Sequence, residues 1–120
     1  MHASVYAVAV IPSPDDLPAA TDASRQLLAS LWKRGLPRLQ ERLAELDHAA
    51  AAAATGSLKS EARVQAAATA HKLAGSLGMF GYNEGTTLAR QIEVALERDG
   101  EAEASALATL TVALRLSLGQ

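Results

Sequence analysis

Leucines and alanines recur at alternating steps of three and four through the middle of the chain. The positions are Leu36, Leu39, Leu43, Leu46, Ala50 and Ala53, with Arg38, Gln40, Glu41, Arg42 and Glu45 between them. That spacing puts an apolar stripe on one side of a helix and charge on the other. A second stripe, Ala66, Ala70, Leu73, Leu77 and Phe80, predicts a helix over 58–79. A third, Leu88, Ile92, Ala95 and Leu96, follows the turn Gly81-Tyr82-Asn83, with Asn83 read as its cap. A fourth, Leu107, Leu110, Leu114 and Leu118, follows Asp99-Gly100, with Glu101 and Glu103 near its positive end. Ahead of these, Leu27, Leu28 and Leu31 predict a short helix from Ala23, capped by Thr21 or Asp22, that ends or bends near Gly35, because Pro37 lacks an amide proton.

Between the predicted helices the punctuation is short. Gly56 stops the alanine-rich helix and Ser57 is positioned to cap the next, with Glu61 in its first turn. Short connections make successive helices antiparallel neighbours. The expected fold is all-α: an up-and-down antiparallel four-helix bundle with a short additional N-terminal helix, over residues 22–120. Residues 1–21 hold Pro12, Pro14 and Pro18 with two aspartates and read as an extended leader. Its apolar run, 5–11, has no basic region before it and is too short for a signal peptide core.

Composition narrows the function classes. The 120 residues, 49% of them apolar, suit one domain. With no cysteine, neither a disulfide framework nor a thiolate metal site is available. The net charge is −2 and the cations are dispersed among acids, which argues against nucleic acid as a partner. No apolar run approaches the roughly 20 residues of a membrane span. A metal-binding bundle requires inward Glu-x-x-His pairs on two helices, and the chain offers only Glu45 with His48, since Ala68 stands three before His71. No metal and no cofactor are expected.

The chemistry concentrates at His71. Its helical neighbours three and four positions to either side and seven positions after are Ala67, Ala68, Ala74, Gly75 and Gly78, all small. Glycine inside a helix costs roughly 1 kcal/mol relative to alanine, so two of them beside one histidine point to close approach by another surface. His71 lies about 100° round from the inward Ala70 and therefore faces the edge or outside of the bundle. A neutral imidazole, with an ordinary pKa of about 6.5, carries a lone pair able to attack phosphorus. Lys72 and Ser76 are near enough in sequence to help hold phosphoryl oxygens. His48 reads as a surface residue, Trp32 as an anchor over the end of the bundle, Met79 and Phe80 as residues closing the bottom of the core, and Tyr82 as the mark of the turn.

The segment 70–81 closely resembles the signature of histidine-containing phosphotransfer (HPt) domains of two-component phosphorelays. The matching positions are Ala70, His71, Lys72, Leu73, Ala74, Gly75, Ser76, Phe80 and Gly81. The order of the helices agrees as well, from about residue 22 to 118. The resemblance implies that His71 is the phosphoacceptor and that Gly75 admits the partner. It implies a response-regulator receiver domain, or a hybrid sensor kinase carrying one, as partner, with Mg²⁺ on the receiver. It also implies a cytoplasmic phosphocarrier, not a kinase, and no glycine-rich nucleotide loop is present. One departure stands out: the family commonly has lysine three residues after the histidine, where this chain has Ala74. The rival reading is a degenerate bundle of the same shape that docks a signalling partner without transfer. A face left open for the receiver suggests a monomer, although the leucine-rich first and second helices offer dimer contacts; such domains also occur inside longer signalling proteins.

Overall fold

A computed structural model describes residues 22–98 and 101–120, the latter with side chains from 103 onward. The leader over 1–21 and the Asp99-Gly100 stop lie outside the described residues. Among the described residues four helices form: α1 (Asp22–Ala54), α2 (Ser60–Met79), α3 (Asn83–Glu97) and α4 (Glu101–Leu118). Each packs on its neighbours in chain order and α1 closes the ring against α4, so the bundle is up-and-down, with α2 and α4 on opposite corners.

The separate N-terminal helix is not formed. Residues 22–54 make one helix of 33 residues with Pro37 inside it. The physical reason lies in where the proline points. Pro37 and Lys33, whose carbonyl loses its helical partner, are both exposed, so water can satisfy that carbonyl. Meanwhile Trp32 and Leu36, about 100° round the helix, pack against the core. At 1.5 Å per residue α1 is about 50 Å long, and its first three turns, with Leu27 and Leu31 exposed, overhang a core that begins at Leu39.

The core follows the predicted stripes. Leu39, Leu43, Leu46, Ala50 and Ala53 of α1 meet Ala66, Ala70, Leu73 and Leu77 of α2, Ile92, Ala95 and Leu96 of α3, and Leu107, Leu114 and Leu118 of α4. Five further positions join the core: Ala49, Ala74, Ala89, Thr111 and the glycine Gly85, where an added Cβ would stand 3.1 Å from Leu118 and 3.2 Å from Leu77. The bundle end is closed by aromatic rings. Trp32 stacks on Tyr82 at 4.6 Å and meets Phe80 edge-on at 5.3 Å. Met79 takes no part in this closure; it is 70% exposed, because eight residues beyond His71 the helix has returned to within about 80° of the histidine's direction.

The turns also differ from expectation in detail. Gly56, at φ +72°, ends α1 with the Gly56 amide donating to the Ala53 carbonyl (3.1 Å) and the Ser57 amide to Ala52 (2.8 Å). Ser57 belongs to this stop and does not cap α2: its hydroxyl donates to the Ala52 carbonyl at 3.2 Å, while α2 begins at Ser60 with Lys59 as an uncapped N-cap. Gly81, at φ +82°, repeats the stop after α2, with the Tyr82 amide donating to Leu77 at 3.0 Å. Tyr82, not Asn83, then occupies the N-cap of α3, without a side-chain cap bond.

Candidate functional site

His71 stands midway along α2 with its side chain 75% exposed. One ring nitrogen is engaged. Nδ1 lies 3.3 Å from Oε1 and 3.2 Å from Oε2 of Glu93, whose side chain is only 24% exposed. A carboxylate can only accept, so Nδ1 carries the proton in this contact. Nε2 is then the nitrogen with the free lone pair, and it faces solvent. A carboxylate behind an imidazole fixes its tautomer and its ring plane, and it stabilises any positive charge the ring acquires.

The frame that holds Glu93 opposite His71 is built between α2 and α3. Ile92, one residue before Glu93, is fully buried, which fixes the rotation of α3 and leaves Glu93 at the edge of its buried face. Two turns before His71, Arg63 donates from Nη1 to the carbonyls of Leu96 (3.2 Å) and Arg98 (3.0 Å), meeting the unpaired carbonyls at the end of α3. An open groove of about 640 Å³ runs beside the histidine along these two helices. Val64, Ala67, Ala68 and Leu96 form its apolar lining, and His71, Lys72, Glu93, Glu97 and Arg63 its polar rim.

The residues read from the sequence as a partner surface divide into two sets. Ala68, Lys72, Gly75 and Gly78 are exposed on the same side of α2 as His71, and Ala67 lies half-buried at its edge. Nothing comes within 4 Å of the Cβ an alanine would add at Gly75, and at Gly78 only Thr86 does, at an ordinary 3.7 Å, so neither glycine is needed for packing within the domain. Ala74 and Ser76 do not belong to that surface. Ala74 is 3% exposed and packs in the core. Ser76, about 140° round the helix from His71, receives a hydrogen bond from Arg42 Nη1 at 3.3 Å and turns towards α1. Met79 and Val64, both largely exposed, complete the open face instead.

A family model for the Hpt domain matches residues 30–119. The chain belongs to the Hpt domain family. Hpt domains are phosphotransfer carriers of two-component phosphorelays and not kinases, and the helical bundle described above is consistent with that family's fold. Protein RcaC of Microchaete diplosiphon is 35% identical over 101 residues, 79% of this chain. The chain spans 16% of that relative's length. No solved structure matches it.

Within this Hpt domain the residue that sequence reasoning missed is Glu93. A signal was available: an acid next to the inward Ile92 sits at the border of a buried face, where a neighbouring helix can present a polar partner. Which partner it meets depends on how α3 is rotated against α2. The other histidine described, His48, is exposed on α1, and its neighbour Asp47 is committed to Arg115 of α4 at 2.7 and 2.6 Å. Among the described residues no group of three or more His, Cys, Asp or Glu side chains could hold a metal, and no helix is long and apolar enough to cross a membrane.

Proposed function

We propose that His71 is the phosphoacceptor of this Hpt domain and that it exchanges a phosphoryl group with the aspartate of a response-regulator receiver domain. The observation that carries the reading is the orientation of the ring: Nδ1 engaged by Glu93, Nε2 open to solvent on a face of small side chains. Nε2 attacks phosphorus in line, the P–N bond forms, and the bond from phosphorus to the aspartyl oxygen breaks, returning its electron pair to the receiver's carboxylate. The imidazole keeps its Nδ1 proton and becomes positive, and the Glu93 carboxylate at 3.2 Å stabilises that charge. Reversal passes the group on to a second receiver.

The partner supplies the remaining chemistry, including the Mg²⁺ that neutralises the phosphoryl oxygens. Ala68, Gly75 and Gly78 let its surface come close, and Lys72, exposed beside them, pairs with the transferring group or with the rim of the receiver. A hybrid sensor kinase with its own receiver is a suitable donor, and the reading places the domain with these proteins in the cytoplasm.

The test is transfer of labelled phosphate from a phosphorylated receiver to the wild type and to His71→Gln, with the stability of the label in acid and base. Acid-labile, base-stable label on the wild type alone is expected. No transfer from any of a panel of receivers, with the protein folded, would overturn the reading in favour of a docking adaptor.

A further inference from the structure

Helix α4 differs from the other three in what it shows to solvent. The outward sides of α1, α2 and α3 carry Glu41 and Glu45, Glu61 and Lys72, and Arg90 and Glu97, as surface helices do. From Ser105 to the end of the chain only one charged residue occurs, Arg115, and both of its contacts go to Asp47 of α1. The outer side of α4 is therefore an uncharged stripe, Ser105, Thr109, Val112 and Leu116, spaced at steps of four, three and four. Leu116 is 76% and Val112 59% exposed.

We propose that this stripe pairs with the same stripe of a second copy across a two-fold axis, forming a homodimer with antiparallel α4 helices. Charge selects the occupant: a charged partner would have nothing to pair with on the stripe and would lose hydration there, whereas a second copy brings an equally uncharged face. The order of side chains is self-complementary about a centre between Thr109 and Val112. Ser105 of one copy lies opposite Leu116 of the other, and Thr109 opposite Val112, so each large side chain meets a small one, as an isologous interface requires. The 3-4 spacing suits a shallow helix crossing at about 8–10 Å. Four exposed side chains on each copy, Val112 and Leu116 the large ones among them, supply less than the roughly 1,200–2,000 Å² of specific complexes, so the dimer is a weak, concentration-dependent one. A further exposed apolar pair, Leu27 and Leu31 on the overhang of α1, has Arg34 on the same face, and pairing that face with itself brings cations of one sign into the contact.

The geometry leaves His71 free. Helices α2 and α4 occupy opposite corners of the bundle, so both phosphotransfer faces of such a dimer point outward and remain open to receivers. The inference does not depend on phosphotransfer.

Sedimentation equilibrium of the full chain over a concentration series tests it, beside Leu116→Glu, Val112→Glu and Leu27→Glu, with circular dichroism as the check on folding. The expected result is a mass approaching twice the chain's 12.5 kDa for the wild type and Leu27→Glu, and the single-chain mass for the two α4 variants. Cross-linking gives the orientation, since the natural chain has no cysteine. A mixture of Ser105→Cys and Leu116→Cys should form the mixed disulfide, and Ser105→Cys alone should not. A wild type that stays monomeric up to about 1 mM, where even a millimolar Kd would register, overturns the proposal. So does a dimer lost in Leu27→Glu and kept in folded Leu116→Glu, or cross-linking by Ser105→Cys alone.

Discussion

Glu93 on α3 holds both carboxylate oxygens within 3.3 Å of His71 Nδ1 on α2, so the free nitrogen of the imidazole is chosen by the neighbouring helix. A hydrogen bond to a charged group contributes about 1.5–3 kcal/mol, and the exposure of His71 reduces this towards the lower end. Glu93→Ala is expected to slow transfer to and from His71 about tenfold, equivalent to about 1.4 kcal/mol. Glu93→Gln, which keeps an accepting oxygen without the charge, is expected to fall between. Ring ¹⁵N chemical shifts provide a readout separate from rate: the neutral Nδ1–H tautomer should dominate in the wild type and lose that dominance in Glu93→Ala. Equal rates and equal tautomer populations in all three proteins would remove Glu93 from the mechanism.

Ala74 occupies the place where a lysine is common in the family, and here it is a core residue at 3% exposure. Restoring the lysine places a charged side chain where the wall of the bundle is closed, and its stem must bend outward to keep the ammonium in water. Ala74→Lys is expected to lower stability by about 1–3 kcal/mol, seen as a reduced melting temperature, without accelerating transfer. A variant of unchanged melting temperature and faster transfer would mean that the lysine reaches the phosphoryl group after all.

Asp47 and Arg115 join α1 to α4 through two contacts to one carboxylate oxygen, at 2.7 and 2.6 Å. Both side chains are partly exposed, so salt and water weaken the pair. A double-mutant cycle with Asp47→Ala and Arg115→Ala, measured by urea unfolding, should give a coupling of about 0.5–1 kcal/mol at low salt, and a smaller one in 0.5 M salt. Removing Arg115 also leaves α4 without a charge beyond Glu103, so the single variant is expected to aggregate more readily than Asp47→Ala.

Much of this architecture is written in spacing. The stripe from Leu39 to Ala53 and the one from Leu107 to Leu118 place their residues in the core as periodicity requires, because burial of one face is a local consequence of 3.6 residues per turn. The open position of His71 follows in the same way from the inward Ala70. What spacing does not carry is the relation between helices. That Glu93 meets His71, that Ser76 turns to Arg42, and that Trp32 reaches across to Phe80 and Tyr82 depend on how each helix is rotated against its neighbour. Pro37 is a different case: local chemistry says that it ends a helix, yet the helix passes through it, because the carbonyl it orphans faces water. Met79 was readable, since its angle from His71 is fixed by the helix alone, but apolar character outweighed position in the expectation.

The two kinds of glycine in this domain separate stability from function. Gly85 lies under Leu118 and Leu77, and a Cβ there would come within 3.1–3.2 Å of both; these are side-chain ends, but they belong to a filled core with little room to move. Gly75 has nothing within 4 Å of its would-be Cβ, and it sits inside α2 at a cost of roughly 1 kcal/mol relative to alanine. Gly75→Ala is therefore expected to raise stability by about 0.5–1 kcal/mol, while Gly85→Ala trades a similar helical gain against crowding and is expected to lower it. If Gly75 is kept so that a receiver backbone can approach His71, the stabilised Gly75→Ala protein should transfer phosphate more slowly, chiefly through weaker docking, and higher receiver concentration should restore the rate. Gly85→Ala should transfer at the wild-type rate below its melting temperature. A Gly75→Ala protein that is both more stable and undiminished in transfer would show that the open space over Gly75 is not where the partner comes to rest.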